Sequence, residues 1–94
     1  MLDEDGYPTE ETLETIANWS PAKGYGELLR LVQNLWRYPS YIRVRGPKWK
    51  ISTAGWSGNE SIMAALERNR VFWAVCWQSS RRGGHYEFVV RELG

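Results

Sequence analysis

Between Tyr41 and Ser52 the side chains alternate. Ile42 and Val44 are interleaved with Tyr41, Arg43 and Arg45, Trp49 and Ile51 with Lys48, Lys50 and Ser52, and Gly46-Pro47 lies at the midpoint. Period-two patterning on both sides of a turn signal specifies a β-hairpin. A two- or four-residue loop centred on Gly46-Pro47 opposes Val44 to Trp49 and Ile42 to Ile51, so one face is wholly apolar and must be covered. The same register sets Arg45 against Lys48 and Arg43 against Lys50. Like charges directly opposed destabilise a sheet by roughly a few tenths of a kcal/mol, so the hairpin's second face is a concentrated and costly cluster of cations.

Helical spacing dominates the residues before the hairpin. Thr9 suits an N-cap, Glu10 and Glu11 suit the positive end of a helix dipole, and Leu13, Ile16 and Ala17 share one face. That helix should end near Trp19-Ser20-Pro21. After Gly24-Tyr25-Gly26, the residues Leu28, Leu31, Val32, Leu35 and Trp36 recur at helical spacing until Pro39. Beyond the hairpin, Ser57 and Glu60 form a capping box, Ile62, Met63, Ala65 and Leu66 give a buried stripe, and Asn69 is a left-handed stop. The run Val71 to Trp77 is apolar in both phases and rich in aromatic and β-branched residues, the signature of a central strand covered on both faces. A turn at Ser79–Gly84 then leads to a strand in which Tyr86, Phe88 and Val90 alternate. The expected architecture is a single α+β domain spanning 1–94, in the order α-α-β-β-α-β-β. Its four-stranded, mainly antiparallel sheet carries helices on one face.

With 94 residues, 43% of them hydrophobic and 24% charged, the chain has the composition of one globular core. The net charge of +1 conceals an asymmetry. Residues 1–29 form an acidic helical part with seven acids against Lys23 alone; residues 30–94 form a basic body with eleven bases against four acids. Cys76, the only cysteine, sits in an apolar run and points to a small core residue in a reducing compartment. The N-terminus has neither the basic start nor the apolar stretch of a signal peptide, and the run to Trp77 is too short to span a membrane, so a cytoplasmic location is expected.

Catalytic signals are sparse. Gly55-Trp56-Ser57-Gly58 partly matches a nucleophile elbow, but Asn59 stands where its last glycine belongs. A small enzyme would have to draw on Ser57, His85 and Glu87. One histidine and one cysteine do not make a zinc tetrahedron, so neither metal nor cofactor is expected.

Anion binding has more support. The Ser79–Gly84 turn sets Arg81 and Arg82 beside two glycines, where guanidinium forks and backbone N–H groups suit a phosphate or carboxylate, although such residues also serve an ordinary hairpin turn. If three helices cover one side of the sheet, either Trp73, Val75 and Trp77 or Phe72, Ala74 and Cys76 face the other side, with the hairpin cations. Tryptophan mixed with arginine and lysine suits base stacking with phosphate contacts, or an aromatic and arginine hot spot for a protein; cation–π pairs within the sheet would account for the same residues. The expected partner-binding set is Arg43, Arg45, Lys48, Lys50, Trp56, Trp73, Trp77, Arg81, Arg82 and His85.

The segments Ser52-Thr53-Ala54-Gly55-Trp56-Ser57-Gly58-Asn59-Glu60 and Phe72 to Tyr86 resemble patterns in small, uncharacterised accessory proteins of bacteriophages and prophages. That resemblance implies the bacterial host cytoplasm as the setting and stoichiometric binding to a host component as the mode of action. The expected function is therefore a non-catalytic module for an anionic partner, either nucleic acid or an acidic host-protein surface. A small enzyme and a structural or homo-oligomeric phage component, the central strand serving as interface, are the alternatives.

Overall fold

The computed structural model of the chain describes residues 1–91. Helix α1 (Glu10–Ala17) and a 3-10 turn (Pro21–Lys23) precede α2 (Tyr25–Leu35) and a second 3-10 turn (Pro39–Tyr41). Strands β1 (Ile42–Arg45) and β2 (Lys48–Ser52) follow, then α3 (Ser57–Arg68), α4 (Arg70–Cys76), β3 (Trp77–Arg81) and β4 (His85–Val89). The order is α-α-β-β-α-β-β, with the third helical unit broken at Asn69. The four strands form an antiparallel sheet in the spatial order β1-β2-β4-β3.

The hairpin has the register its alternation specifies, Ile42 opposite Ile51, Arg43 opposite Lys50, Val44 opposite Trp49 and Arg45 opposite Lys48. Antiparallel partners share a face, and the chain of pairs Ile51 to Tyr86 and Trp49 to Phe88 defines the inner one. Ile42, Trp49, Ile51 and Phe88 are buried there. The helices supply the rest of the core, chiefly Ile16 of α1, Leu28, Leu29 and Val32 of α2, Ile62 and Leu66 of α3, and Phe72 and Cys76 of α4.

Thr9 caps α1 as expected, its hydroxyl accepting a hydrogen bond from the Thr12 N–H at 3.2 Å. Ser57 does not cap α3. The N-cap is Trp56, Ser57 is the first helical residue, and its hydroxyl donates to the Tyr7 hydroxyl at 3.1 Å. Asn69 is not left-handed either, with φ −80°. It is buried and joins three segments: its Oδ1 accepts from the Phe72 N–H and caps α4, while its Nδ2 donates to the carbonyls of Ile16 and Trp19.

The main correction concerns residues 71–77. They form helix as far as Cys76 rather than a central strand, and β3 begins at Trp77 as an edge strand with a register irregularity between Trp77 and Ser79. Phe72 and Cys76, four residues apart, are buried, whereas Val71 and Ala74 are exposed, so a helical stripe lay inside a run whose period was ambiguous. The Asn69 cap and burial on both sides of Phe72 override strand propensity. The Ser79–Gly84 segment is likewise shorter as a turn, because Ser79, Ser80 and Arg81 pair with β4.

Gly84 makes the tight junction between the second hairpin and the loop after β2. Its φ is +78°, its carbonyl accepts from the Thr53 N–H at 3.0 Å, and a Cβ placed on it would collide with Thr53 Oγ1. Gly84→Ala should therefore cost more than about 1 kcal/mol, combining left-handed strain with a clash against a buried residue. A urea melt unchanged from the parent would refute that account.

Candidate anion-binding face

Residues that alternate with the inner set project from the open side of the sheet. Across the strands they form rows: Arg43, Lys50, Glu87 and Ser79 in one, Arg45 and Lys48 in the next toward the hairpin tip, and Ser52, His85 and Arg81 on the other side. Arg43, Arg45, Lys48, Lys50, Arg81 and His85 are all exposed. A groove of about 420 Å3 runs between Tyr41, Arg43, Lys50, Arg81 and His85, and a second hollow of about 430 Å3 lies among Arg43, Arg45, Lys48 and Lys50.

Glu87 is the one carboxylate in these rows. Its Oε1 lies 3.6 Å from Lys48 Nζ and its Oε2 accepts from the Ser79 hydroxyl at 3.2 Å. Among the described residues Lys48–Glu87 is the only ion pair, so Arg43, Arg45, Lys50 and Arg81 have no carboxylate partner there. Five cations against one carboxylate give the face a charge of +4 with His85 neutral. The N-terminal acids do not quench it: α1, with exposed Glu10, Glu11 and Glu14, packs on α3 in the helical layer.

The tryptophans are elsewhere. Trp77 pairs with Phe88 and so shares the inner side, where, 39% exposed, it stacks on Trp73 at 6.2 Å. Trp73 packs its ring edge-on to Phe88 at 5.5 Å. Trp56 sits at the start of α3 between partners of its own, Tyr7 at 4.7 Å and the Arg37 guanidinium at 4.2 Å. The expected mixture of tryptophan with the hairpin cations is not formed, because it depended on residues 71–77 being a strand. The two turn arginines also separate. Arg81 pairs with His85 and lines the groove, while Arg82 projects at the turn tip, so they make no joint clamp.

Two contributors to this face were missed from the sequence. Tyr41, 50% exposed, lines the groove; its alternation in phase with Arg43 and Arg45 was the available signal. Tyr38, 49% exposed, lies with its ring 6.3 Å from that of Tyr41 and 5.6 Å from the Arg37 guanidinium. Nothing local foretells its backbone, since a residue before proline is steered to extended conformations, yet Tyr38 is left-handed at φ 65°, ψ 66°.

Ser57 lies outside the groove that holds His85 and Glu87, its hydroxyl engaged with Tyr7. Among the described residues no group of three or more His, Cys, Asp or Glu is placed to hold a metal ion, and no helix is long and apolar enough to cross a membrane. No protein-family model, curated protein or solved structure matches this chain.

Proposed function

We propose that the protein is a non-catalytic binding module that holds an anionic partner on the open face of its sheet. The carrying observation is the double opposition of Arg43 to Lys50 and of Arg45 to Lys48. Opposed cations cost stability, and a fold bearing them beside Arg81 with one carboxylate nearby concentrates positive charge where it is most useful to a polyanion. The open groove supports a ligand laid along the surface rather than enclosed. The engagement of the Ser57 hydroxyl with Tyr7, outside the groove lined by His85 and Glu87, favours binding over serine chemistry, and the resemblance of residues 52–86 to small phage proteins favours a host component as the partner. The basis for a homo-oligomer through a doubly apolar strand is gone, because that segment is α4.

Charge reversal at Arg43 tests this reading through two opposite effects. Arg43→Glu turns a repulsive pair with Lys50 into an attractive one and should raise stability by about 0.2–1 kcal/mol, a gain of a few degrees in Tm. Its affinity for heparin should fall at the same time, with a shallower dependence on salt between about 50 and 200 mM. Arg81→Ala should weaken heparin binding and Arg82→Ala should not. Heparin bound equally by the parent and Arg43→Glu would defeat the proposal.

A further inference from the structure

The open face carries a second kind of group beside its charge. Tyr38 and Tyr41 are each about half exposed, and their rings meet edge-on at 73° instead of stacking, with the Arg37 guanidinium over one face of the Tyr38 ring at 5.6 Å. Tyr41 borders the cationic groove itself, and Tyr38 continues the line outward to Arg37 and Trp56. The backbone holds this arrangement against its own preference. Tyr38 occupies a left-handed conformation that non-glycine residues seldom adopt and that persists where surrounding structure over-determines it. That structure is buried Asn59, which accepts from the Arg37 N–H at 3.0 Å and donates to the Arg37 carbonyl at 2.9 Å, fixing both polar groups of the preceding residue.

We infer that the anion this face accepts is single-stranded nucleic acid, its bases stacked on Tyr38 and Tyr41 and its phosphates carried by Arg43, Lys50 and Arg81. The inference rests on the open face being an anion-binding surface and names the ligand. Exposed aromatic planes beside a cationic groove are how single strands are held without sequence readout, because every unpaired base offers a flat face. A duplex hides those faces in its own stack and presents only phosphates and groove edges, and the carboxylates of an acidic protein surface offer no equivalent aromatic plane.

Fluorescence anisotropy with labelled oligothymidylate, a duplex of equal length and inorganic polyphosphate would test this on the full chain. The single strand should bind more tightly than the duplex. Tyr41→Ala should weaken single-strand binding roughly tenfold while leaving polyphosphate binding unchanged. Tyr41→Phe, which keeps the plane, should bind like the parent. Tyr38→Gly, which suits the left-handed backbone and removes the ring, should fold and still lose single-strand affinity. Equal affinity for single strand and duplex, or Tyr41→Ala binding like the parent, would overturn the assignment of ligand while Arg43-dependent polyphosphate binding survived. Failure of all three polyanions to bind at low salt would overturn the anion-binding face itself.

Discussion

Phe72→Ala should cost about 3–5 kcal/mol, the full penalty for truncating a buried aromatic side chain. Phe72 is fully buried where three elements meet, its ring edge-on to Tyr25 of α2 at 5.4 Å and tilted against Phe88 of β4 at 5.3 Å. Truncation removes the ring's own transfer energy and opens a cavity between two aromatic neighbours that cannot collapse without moving helix and sheet together. A small domain has a total stability of roughly 5–15 kcal/mol, so the variant should stand near the limit of folding at room temperature. Phe72→Leu keeps most of the volume and should retain a cooperative transition. Urea midpoints for the pair would measure the difference, and a loss under about 1.5 kcal/mol for the alanine would mean that this junction is not the centre of the core.

The second large effect is polar. Asn59 is 1% exposed, and its side chain saturates three backbone groups, the N–H and carbonyl of Arg37 and the carbonyl of Thr53 at 3.2 Å. Stranding one buried polar group costs about 1–3 kcal/mol. The Thr53 carbonyl keeps a second donor, the Trp56 N–H at 3.1 Å, so Asn59→Ala strands mainly the two Arg37 groups and should lose about 2–4 kcal/mol. Asn59→Asp separates shape from hydrogen bonding. It matches asparagine in size but offers only acceptors to two carbonyls, so it should be at least as damaging at neutral pH as the alanine. An aspartate variant as stable as the parent would show that the Arg37 carbonyl finds another donor.

Those two residues mark where reading from the sequence stops. Register in the first hairpin was legible because period two and a centred turn over-specify it, and with it came the cationic pairs. Helix α2 was legible from Leu28, Val32 and Leu35, though the chain leaves the helix at Trp36, whose indole N–H reaches the Ser52 carbonyl at 3.0 Å. Val71–Trp77 was misread because an unbroken apolar run fits strand and buried helix equally. What decides it is Asn69, whose other partners, Ile16 and Trp19, lie about fifty residues away in sequence. The same distance problem hid Asn59, noted in the sequence only as a mismatch to the nucleophile elbow when it is a brace between segments. The candidate face inherited both outcomes: its hairpin charges were placed by the register, Arg82 was not brought to the groove, and its aromatic residues were sought among the tryptophans instead of beside Pro39.

The layering of charge has a bearing on encounter. Acids of α1 on one side and the cationic rows on the other make the molecule an electric dipole whose nearly cancelled total gives little attraction from afar but a definite torque. Near a polyanion it would turn sheet-first before contact, raising the fraction of collisions that are productive without adding a single bond. At about 0.1 M ionic strength the Debye length is roughly 10 Å, shorter than the molecule's smallest extent of 19 Å. Reorientation would then be confined to the final approach, and its contribution would appear in the association rate as salt is lowered.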